Sequence, residues 1–186
     1  MFWTCTLITV RPYRKPLIVM TPKSLLRHPD AVSSLADLSE DEYKLVIPEI
    51  DDIKPKDVSR LVLCSGKVYY DVLDKRRQLK LNHVTIVRVE QLYPFPEEEL
   101  NKLLCDYRHV KDIVWCQEEP QNQGAWFAIE NDLQNSLDKQ QKLIYAGRAA
   151  AAAPAVGYLS VHLKQQAELV SQALNCSLDD VLHPAK

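Results

Sequence analysis

One stretch of the sequence decides the fold: Val58-Ser59-Arg60-Leu61-Val62-Leu63-Cys64-Ser65-Gly66-Lys67-Val68-Tyr69-Tyr70-Asp71-Val72. Its first seven residues form a short and mostly apolar run, which is typical of a strand buried on both faces of a sheet. After the turn at Ser65 and Gly66, apolar side chains recur four residues apart, at Val68 and Val72, which predicts an amphipathic helix. The stretch is therefore one strand–turn–helix unit.

The same unit recurs towards the C-terminus. Further strands are predicted at Val84–Val89, Asp112–Cys116 and Lys142–Tyr145, and each is followed by a helical pattern. Strands and helices that alternate at this spacing indicate parallel strands joined by right-handed crossovers. We therefore predict a Rossmann-like α/β domain at 58–175, with a mainly parallel sheet and helices on both faces, and a tail at 176–186.

The last predicted helix runs from near Tyr158 to Leu174. Apolar residues recur along it with helical spacing, and this pattern predicts one face turned towards the core. The residues expected on that face are Leu159, Leu163, Val170 and Leu174.

The residues before Val58 are less regular. Leu17–Met20 has the pattern of a single strand without a partner nearby in sequence, and a buried strand needs a sheet to join, so 1–20 is predicted to belong to a preceding domain. The following stretch, 21–57, contains four prolines and several acids and is predicted to be an interdomain linker.

Composition excludes several classes of protein. The chain has 186 residues and a formal net charge of -2, which provides no broad positive field, so nucleic acid is not an expected partner. The apolar segment Met1–Val10 is too short to span a membrane, and its basic neighbours follow it rather than precede it, so neither a membrane anchor nor a signal peptide is expected. We predict a cytoplasmic protein, or one of the mitochondrial matrix if the source is a eukaryote.

The cysteines and histidines form no metal-binding pattern. The five cysteines are widely spaced without a CxxC pair, which indicates free thiols in a reducing compartment. Cys64 and Cys116 end apolar runs and are expected to be small buried hydrophobes. The five histidines show neither HxxxH nor an acid or cysteine at metal-ligand spacing. Neither a metal site nor a catalytic residue is predicted in this chain.

An anion site is one interpretation of the turn after the first strand. Ser65, Gly66 and Lys67 lie where a strand turns into a helix, and exposed amide groups at such a turn favour a phosphate. Arg88, near the carboxyl end of the next strand, is expected to reach the same place. The other interpretation is a tight turn with a helix N-cap, together with a salt bridge from Arg88 to Glu90 or to another domain.

The most distinctive polar stretch is 118–126, directly after the third predicted strand. Adjacent carboxylates on an extended segment point to opposite faces, so Glu118 and Glu119 make a poor acid/base pair. A contact loop is therefore favoured over catalysis. The interface candidates in this stretch and beyond it are Glu118, Glu119, Asn122, Gln123, Trp126, Arg148 and His162.

Several segments resemble, in order, the C-terminal part of the decarboxylating component of 2-oxoglutarate dehydrogenase. Three carry the resemblance most clearly: LIVMTPKSLLRHP at 17–29, CSGKVYYD at 64–71 and EQLYPFP at 90–96. It is extended by VWCQEEP at 114–120, NQGAW at 122–126, YAGR at 145–148 and PAVGY at 154–158. The resemblance covers the chain from about Lys15 to Leu174.

The resemblance implies a transketolase-like enzyme that decarboxylates 2-oxoglutarate on thiamine diphosphate and passes the succinyl group to a lipoyl acyltransferase. It implies that this chain holds the C-terminal domain, that 1–20 ends the pyrimidine-binding domain, and that thiamine diphosphate and Mg²⁺ are bound upstream. The implied partners are the upstream domains, a homodimer partner, the acyltransferase and an AMP or acetyl-CoA effector. The effector candidates are Ser65, Lys67, Arg88, Lys23 and Arg27.

Two other functions compete with this one. A stand-alone module would bind a nucleotide effector or a protein by itself. A small independent enzyme would need a reactive thiol at Cys64 or Cys116, which requires a partly exposed and electropositive environment.

Overall fold

A computed structural model describes residues 22–39 and 42–183 of the chain. The chain divides into two compact units, Met1–Lys44 and Leu45–Lys186. The predicted strand Leu17–Met20 and the predicted remnant at 1–20 lie outside the described residues.

The first unit contains a 3-10 helix at Lys23–Arg27 and a short helix α1 at Leu35–Ser39. A reciprocal cap begins α1, because the Ser34 amide donates to Asp37 Oδ2 at 2.8 Å and the Asp37 amide donates to Ser34 Oγ at 3.1 Å. Both amides belong to the group at a helix start that has no intrahelical acceptor.

The second unit alternates strands and helices along its described residues. Its strands are β1 (Val46–Ile47), β2 (Arg60–Cys64), β3 (Val84–Val89), β4 (Asp112–Pro120) and β5 (Lys142–Arg148). Its α-helices are α2 (Val68–Gln78), α3 (Glu97–Leu104), α4 (Trp126–Ser136), α5 (Leu159–Leu174) and α6 (Leu178–Leu182), with 3-10 turns at Pro55–Asp57 and Cys105–Tyr107.

The five strands form one sheet in the order β1-β3-β2-β4-β5. Strands β2 to β5 are parallel, and the short β1 pairs antiparallel with β3 at the edge. Strand β2 lies in the centre and all five of its residues are buried, as its mostly apolar run predicts. The predicted α/β class with a mainly parallel sheet is confirmed.

Helices cover both faces of this sheet, as predicted. Since successive strand residues point to opposite faces, Val62 and Cys64 belong to a core shared with α2 and α5. Leu61 and Leu63 belong to the other core, shared with α3 and α4. The chain therefore winds over both faces of one sheet.

Two elements lie where a linker and a tail were predicted. Strand β1 lies within 21–57, and Glu49 just after it fixes the segment by accepting from the Ile86 amide at 2.8 Å and from the Arg76 guanidinium. Helix α6 lies within 176–186 and buries Val181. Both elements are too short for a periodic pattern, and tertiary contacts hold them in place.

Strands β4 and β5 run further than their apolar residues suggest. Strand β4 continues to Pro120, which pairs with Arg148 of β5 across an irregularity in the register. The polar stretch predicted to be a loop therefore begins inside a strand, because pairing with a neighbour rather than side-chain polarity decides where the strand ends.

The expected core face of α5 is only half right. Val170 and Leu174 are buried, but Leu159 and Leu163 are 72% and 57% exposed, so their placement in the core was wrong. The first turns of α5 instead contact Arg148 through polar side chains, which turns the leucines outward.

Candidate functional site

The candidate site lies at the carboxyl ends of the parallel strands, where the strand order reverses. From β2 the chain passes to β3 on one side and then to β4 on the other. In folds of this kind, the crevice between two such strands is where ligands bind. Lys67, just after β2, and Glu118, near the end of β4, both lie at this crevice.

Lys67 is held between two carboxylates. Its Nζ lies 2.9 Å from Glu118 Oε1 and 2.8 Å from Asp71 Oδ2. Burial disfavours the charged ammonium, but the hydrogen bonds that it donates to Asp71 and Glu118 outweigh that effect and raise the pKa of Lys67 above its usual value. Lys67 is therefore a paired cation that ties the turn after β2 to β4.

Further hydrogen bonds extend this ion pair to β5 and α5. Gln166 Nε2 donates to Asp71 Oδ2 at 2.8 Å, and Arg148 Nη2 donates to Gln166 Oε1 at 2.9 Å. Arg148 Nη2 also lies 3.1 Å from His162 Nδ1. We call these residues the carboxyl-edge network: Lys67, Asp71, Glu118, Arg148, His162 and Gln166.

Among the described residues, the other effector candidates make no hydrogen bond or ion pair with this network. Arg88 stacks over the Tyr69 ring at 4.6 Å, and its Nε lies 3.3 Å from Glu90 Oε1, so the predicted salt bridge is confirmed. Ser65 is partly exposed at the turn, beside Gly66 with φ at 77°. Lys23 and Arg27 belong to the first unit, where both are exposed.

A second polar cluster is centred on the buried amide of Gln117. Its Oε1 accepts from Trp115 Nε1 and from the Trp126 amide, both at 3.0 Å. Its Nε2 donates to the Gln123 carbonyl at 2.9 Å and to the Pro120 carbonyl at 3.2 Å. One side chain therefore provides hydrogen-bond partners for the backbone groups that connect β4 to α4.

The interface candidates after β4 play different parts. Asn122 makes two hydrogen bonds to the backbone of Ala151, each 3.0 Å long, and Gln123 adds one of 3.1 Å. Glu119 is exposed. Trp126 differs from the expectation, because its ring is 5% exposed and packs at 5.1 Å against Tyr145. It is part of the core of this unit.

The thiols at the carboxyl ends of β2 and β4 are fully enclosed. Desolvation raises the pKa of Cys64 to about 12 and that of Cys116 well above its usual value. A thiol of this kind forms little thiolate, which is the nucleophilic form. The expectation that they are buried is confirmed, and the small thiol enzyme finds no support.

The chain is similar in sequence to proteins of a single family. A family model described as 2-oxoglutarate dehydrogenase C-terminal matches residues 32–174. The chain is 55% identical over 167 residues to the 2-oxoglutarate dehydrogenase E1 component of Haemophilus influenzae, covering 90% of this chain and 18% of that protein. The corresponding E1 component of Azotobacter vinelandii is 53% identical over 167 residues, covering 88% and 18%.

The chain belongs to the 2-oxoglutarate dehydrogenase family. It corresponds to the C-terminal region of the E1 component and spans 18% of the length of these relatives. The resemblance given by the sequence motifs is confirmed, and the stand-alone module is not favoured. Among solved structures, a split gene transketolase, described as an inactive beta4 tetramer, aligns with a TM-score of 0.46 and 15% identity over 63% of this chain and 40% of that chain.

Sequence reasoning missed two residues of this family member's site, Gln117 and Gln166. Gln117 lies between Cys116 and Glu118, and Gln166 lies between Gln165 and Ala167, and neither setting marks a glutamine as a buried or linking residue. Only the structure shows that Gln117 is buried and that Gln166 links Arg148 to Asp71.

Residues 22–39 and 42–183 contain neither a candidate metal cluster nor a helix that could cross a membrane. No group of three or more His, Cys, Asp or Glu residues there could hold a metal ion. No helix in this part of the chain is both long and apolar enough to cross a membrane.

Proposed function

We propose that this chain serves as the C-terminal region of a thiamine-diphosphate-dependent 2-oxoglutarate dehydrogenase, and that it supports turnover without performing the chemistry. The observation that carries this proposal is the 2.9 Å ion pair between Lys67 and Glu118 across the crevice of the sheet. Because Lys67 and Glu118 bridge the crevice, we take their role to be structural: they hold this surface of the sheet in a fixed shape. The isolated chain is then inactive.

The carboxylates at this edge do not fit a Mg²⁺–diphosphate site. Mg²⁺ requires oxygen ligands in near-octahedral geometry, whereas Asp71 and Glu118 both contact the Lys67 ammonium within 2.9 Å. We propose that other regions of the family enzyme bind thiamine diphosphate and Mg²⁺. Decarboxylation of 2-oxoglutarate and succinyl transfer to the lipoyl acyltransferase are then carried out there.

The exposed apolar residues at the start of α5 support a role in protein contact. Tyr158 is 77% exposed and is followed by the exposed Leu159 and Leu163. A group of large apolar side chains left in water marks an interaction surface. We propose that it contacts the upstream domains of the enzyme, with the homodimer partner and the acyltransferase as further partners of the assembly.

We also propose that an effector binds at the turn after β2. A phosphate of AMP or acetyl-CoA bound at the turn of Ser65 would draw Lys67 from Glu118, and Arg88 from Glu90, because each cation is already paired. The free cysteines of the described residues support a reducing compartment, so we also propose a cytoplasmic location, or the matrix in a eukaryote.

A chimeric enzyme tests the proposal. Residues 32–174 of this chain replace the matched region of the Haemophilus influenzae E1 component, and release of carbon dioxide from 2-oxoglutarate is measured with thiamine diphosphate and Mg²⁺. We expect an active chimera and an inactive 186-residue chain. Carbon dioxide release by the isolated chain contradicts the proposal, and so does a folded chimera without activity.

Effector binding is tested on the same chimera by titrating AMP and acetyl-CoA. Lys67→Met is expected to abolish the response of the rate to the effector. The matched control is Lys142→Met, because Lys142 is an exposed lysine at the opposite end of β5 from Arg148. An unchanged response in Lys67→Met removes Lys67 from the effector site.

A further inference from the structure

Arg148, the last residue of β5, is a buried cation without an ion-pair partner among the described residues. It is 8% exposed, and its Nε is buried without a hydrogen-bond partner. Its contacts through Nη2 are to the Gln166 amide at 2.9 Å and to His162 Nδ1 at 3.1 Å, which must accept because a guanidinium only donates. Neither contact supplies a negative charge.

Nearby carboxylates do not offset this charge directly. Asp71 reaches Arg148 only through the amide of Gln166, and its Oδ2 is already shared with the Lys67 ammonium at 2.8 Å. Glu118 is paired with the same lysine. Since a buried charge is costly unless an opposite charge or a full set of hydrogen bonds offsets it, the guanidinium has the capacity to take an additional anionic group.

The first turn of α5 adds donors on the same side. Arg148 contacts His162 in that turn, and the helix is 16 residues long with no side-chain hydrogen bond at its N-cap, Tyr158. The first intrahelical bond runs from the His162 amide to the Tyr158 carbonyl at 3.0 Å, which leaves the three preceding amides without an intrahelical acceptor. Such amides and the helix dipole favour an anion.

We infer that Arg148 and the first turn of α5 form an oxyanion site, which binds a carboxylate or phosphate group. The guanidinium supplies the charge, and the amides of Leu159, Ser160 and Val161 supply further donors. The connection between β5 and α5 is held in place for this role, because Asn122 fixes both backbone groups of Ala151 at 3.0 Å. This site is built from other residues than the effector site proposed at Ser65, Lys67 and Arg88.

Nuclear magnetic resonance on the intact chain tests the site. Inorganic phosphate and acetate are titrated at constant ionic strength, with chloride as the balancing anion, and the Arg148 Nε–H and the amides of Leu159 to Val161 are observed. We expect saturable shifts at these groups with phosphate or acetate. A stronger response to acetate identifies a carboxylate as the natural group, and a stronger response to phosphate identifies a phosphate.

Variants separate this site from general anion binding. Arg148→Lys keeps the charge but loses the planar donor array, and is expected to weaken the apparent affinity by at least about tenfold. The matched control, Arg108→Met, removes an exposed arginine and is expected to leave the shifts unchanged. The site is refuted if wild type shows no saturable shift, if chloride acts equally, or if Arg148→Lys binds as wild type does.

Discussion

Arg60 Nε donates to the main-chain carbonyl of Ala173 at 2.8 Å, which connects the start of β2 to the end of α5 across 113 residues of sequence. Arg60 Nη2 donates to the Gln172 carbonyl at 2.9 Å, and Nη1 pairs with Asp112 Oδ2 at 2.9 Å. The final carbonyls of a helix have no intrahelical donor. One buried side chain therefore caps a helix and joins two strands to it.

Replacing this arginine is expected to destabilise the fold. Arg60→Met leaves the buried Ala173 carbonyl and the partly buried Gln172 carbonyl without their donors and should lower the free energy of unfolding by about 2–4 kcal/mol. Asp112→Asn removes only the ion pair, whose carboxylate is 43% exposed, and should cost about 0–1 kcal/mol. Urea denaturation of both variants checks this, and equal losses would show that the ion pair rather than the cap matters.

Gln117 is expected to be the polar residue of β4 at which substitution costs most stability. Gln117→Met keeps the volume but removes the acceptor for Trp115 Nε1 and for the Trp126 amide, both buried, so we predict a loss of about 2–4 kcal/mol. The matched variant Glu119→Gln changes an exposed side chain two residues away and should stay within about 0.5 kcal/mol. The prediction fails if urea midpoints for the two variants coincide.

The fold was predictable where local pattern and tertiary packing agree. The apolar run of β2 and the spacing of Val68 and Val72 specify a central strand and a helix, and both are present. The apolar pattern gave a wrong prediction where a tertiary contact decides which side of a helix is buried. Leu159 lies outside the core because Arg148 attracts the polar side of α5, and a sequence gives no position for a guanidinium.

The sequence predicted which residues belong to the candidate site better than it predicted what those residues bind. Sequence reasoning selected Lys67, Glu118, Arg148 and His162, and the structure joins all four in one network. An anion site at Lys67 was one of two interpretations of the turn after β2, and the structure pairs Lys67 with two carboxylates, because Asp71 and Glu118 converge on it from a helix and a strand. Convergence of this kind depends on the sheet order, which no local pattern encodes.

Gly147 is predicted to tolerate no side chain. A Cβ there would lie 2.4 Å from Tyr145 Oη and 3.0 Å from the Gln117 carbonyl oxygen, so Gly147→Ala should cost about 1–3 kcal/mol through overpacking. A Cβ at Gly157 meets nothing within 4 Å, which makes Gly157→Ala the matched control, expected within about 0.5 kcal/mol of wild type. Thermal and urea unfolding of both variants measure the difference in stability. If Gly147→Ala is as stable as Gly157→Ala, Tyr145 moves aside without cost.

Asp51 should make stability depend on acid pH. Its hydrogen bond with Arg77 lowers the pKa of this carboxyl below the ordinary value of 3.8, assisted by the charges of Arg76 and Arg77 and opposed by burial. A depressed folded pKa stabilises the fold above the unfolded pKa, and that contribution is lost as the pH falls through the folded pKa. Asp51→Asn should therefore be less stable than wild type at neutral pH, and the gap should close below pH 3.8. Urea midpoints across this range test the sign, and a gap that is constant with pH would contradict it.

The cysteines should differ sharply in reactivity towards a disulfide reagent. Cys105 is exposed, whereas Cys64 and Cys116 are buried and desolvation raises the pKa of both, that of Cys64 to about 12. Since the thiolate is the reacting form and needs access to the reagent, we expect native labelling at Cys105 and none at the two buried thiols until the chain unfolds. Peptide mapping by mass spectrometry assigns the labelled positions, and Cys105→Ser confirms the assignment by losing the rapid phase. Labelling of Cys64 or Cys116 at the rate of Cys105 would show that the carboxyl edge of the sheet opens in the native state, and it would restore the case for a thiol-dependent activity.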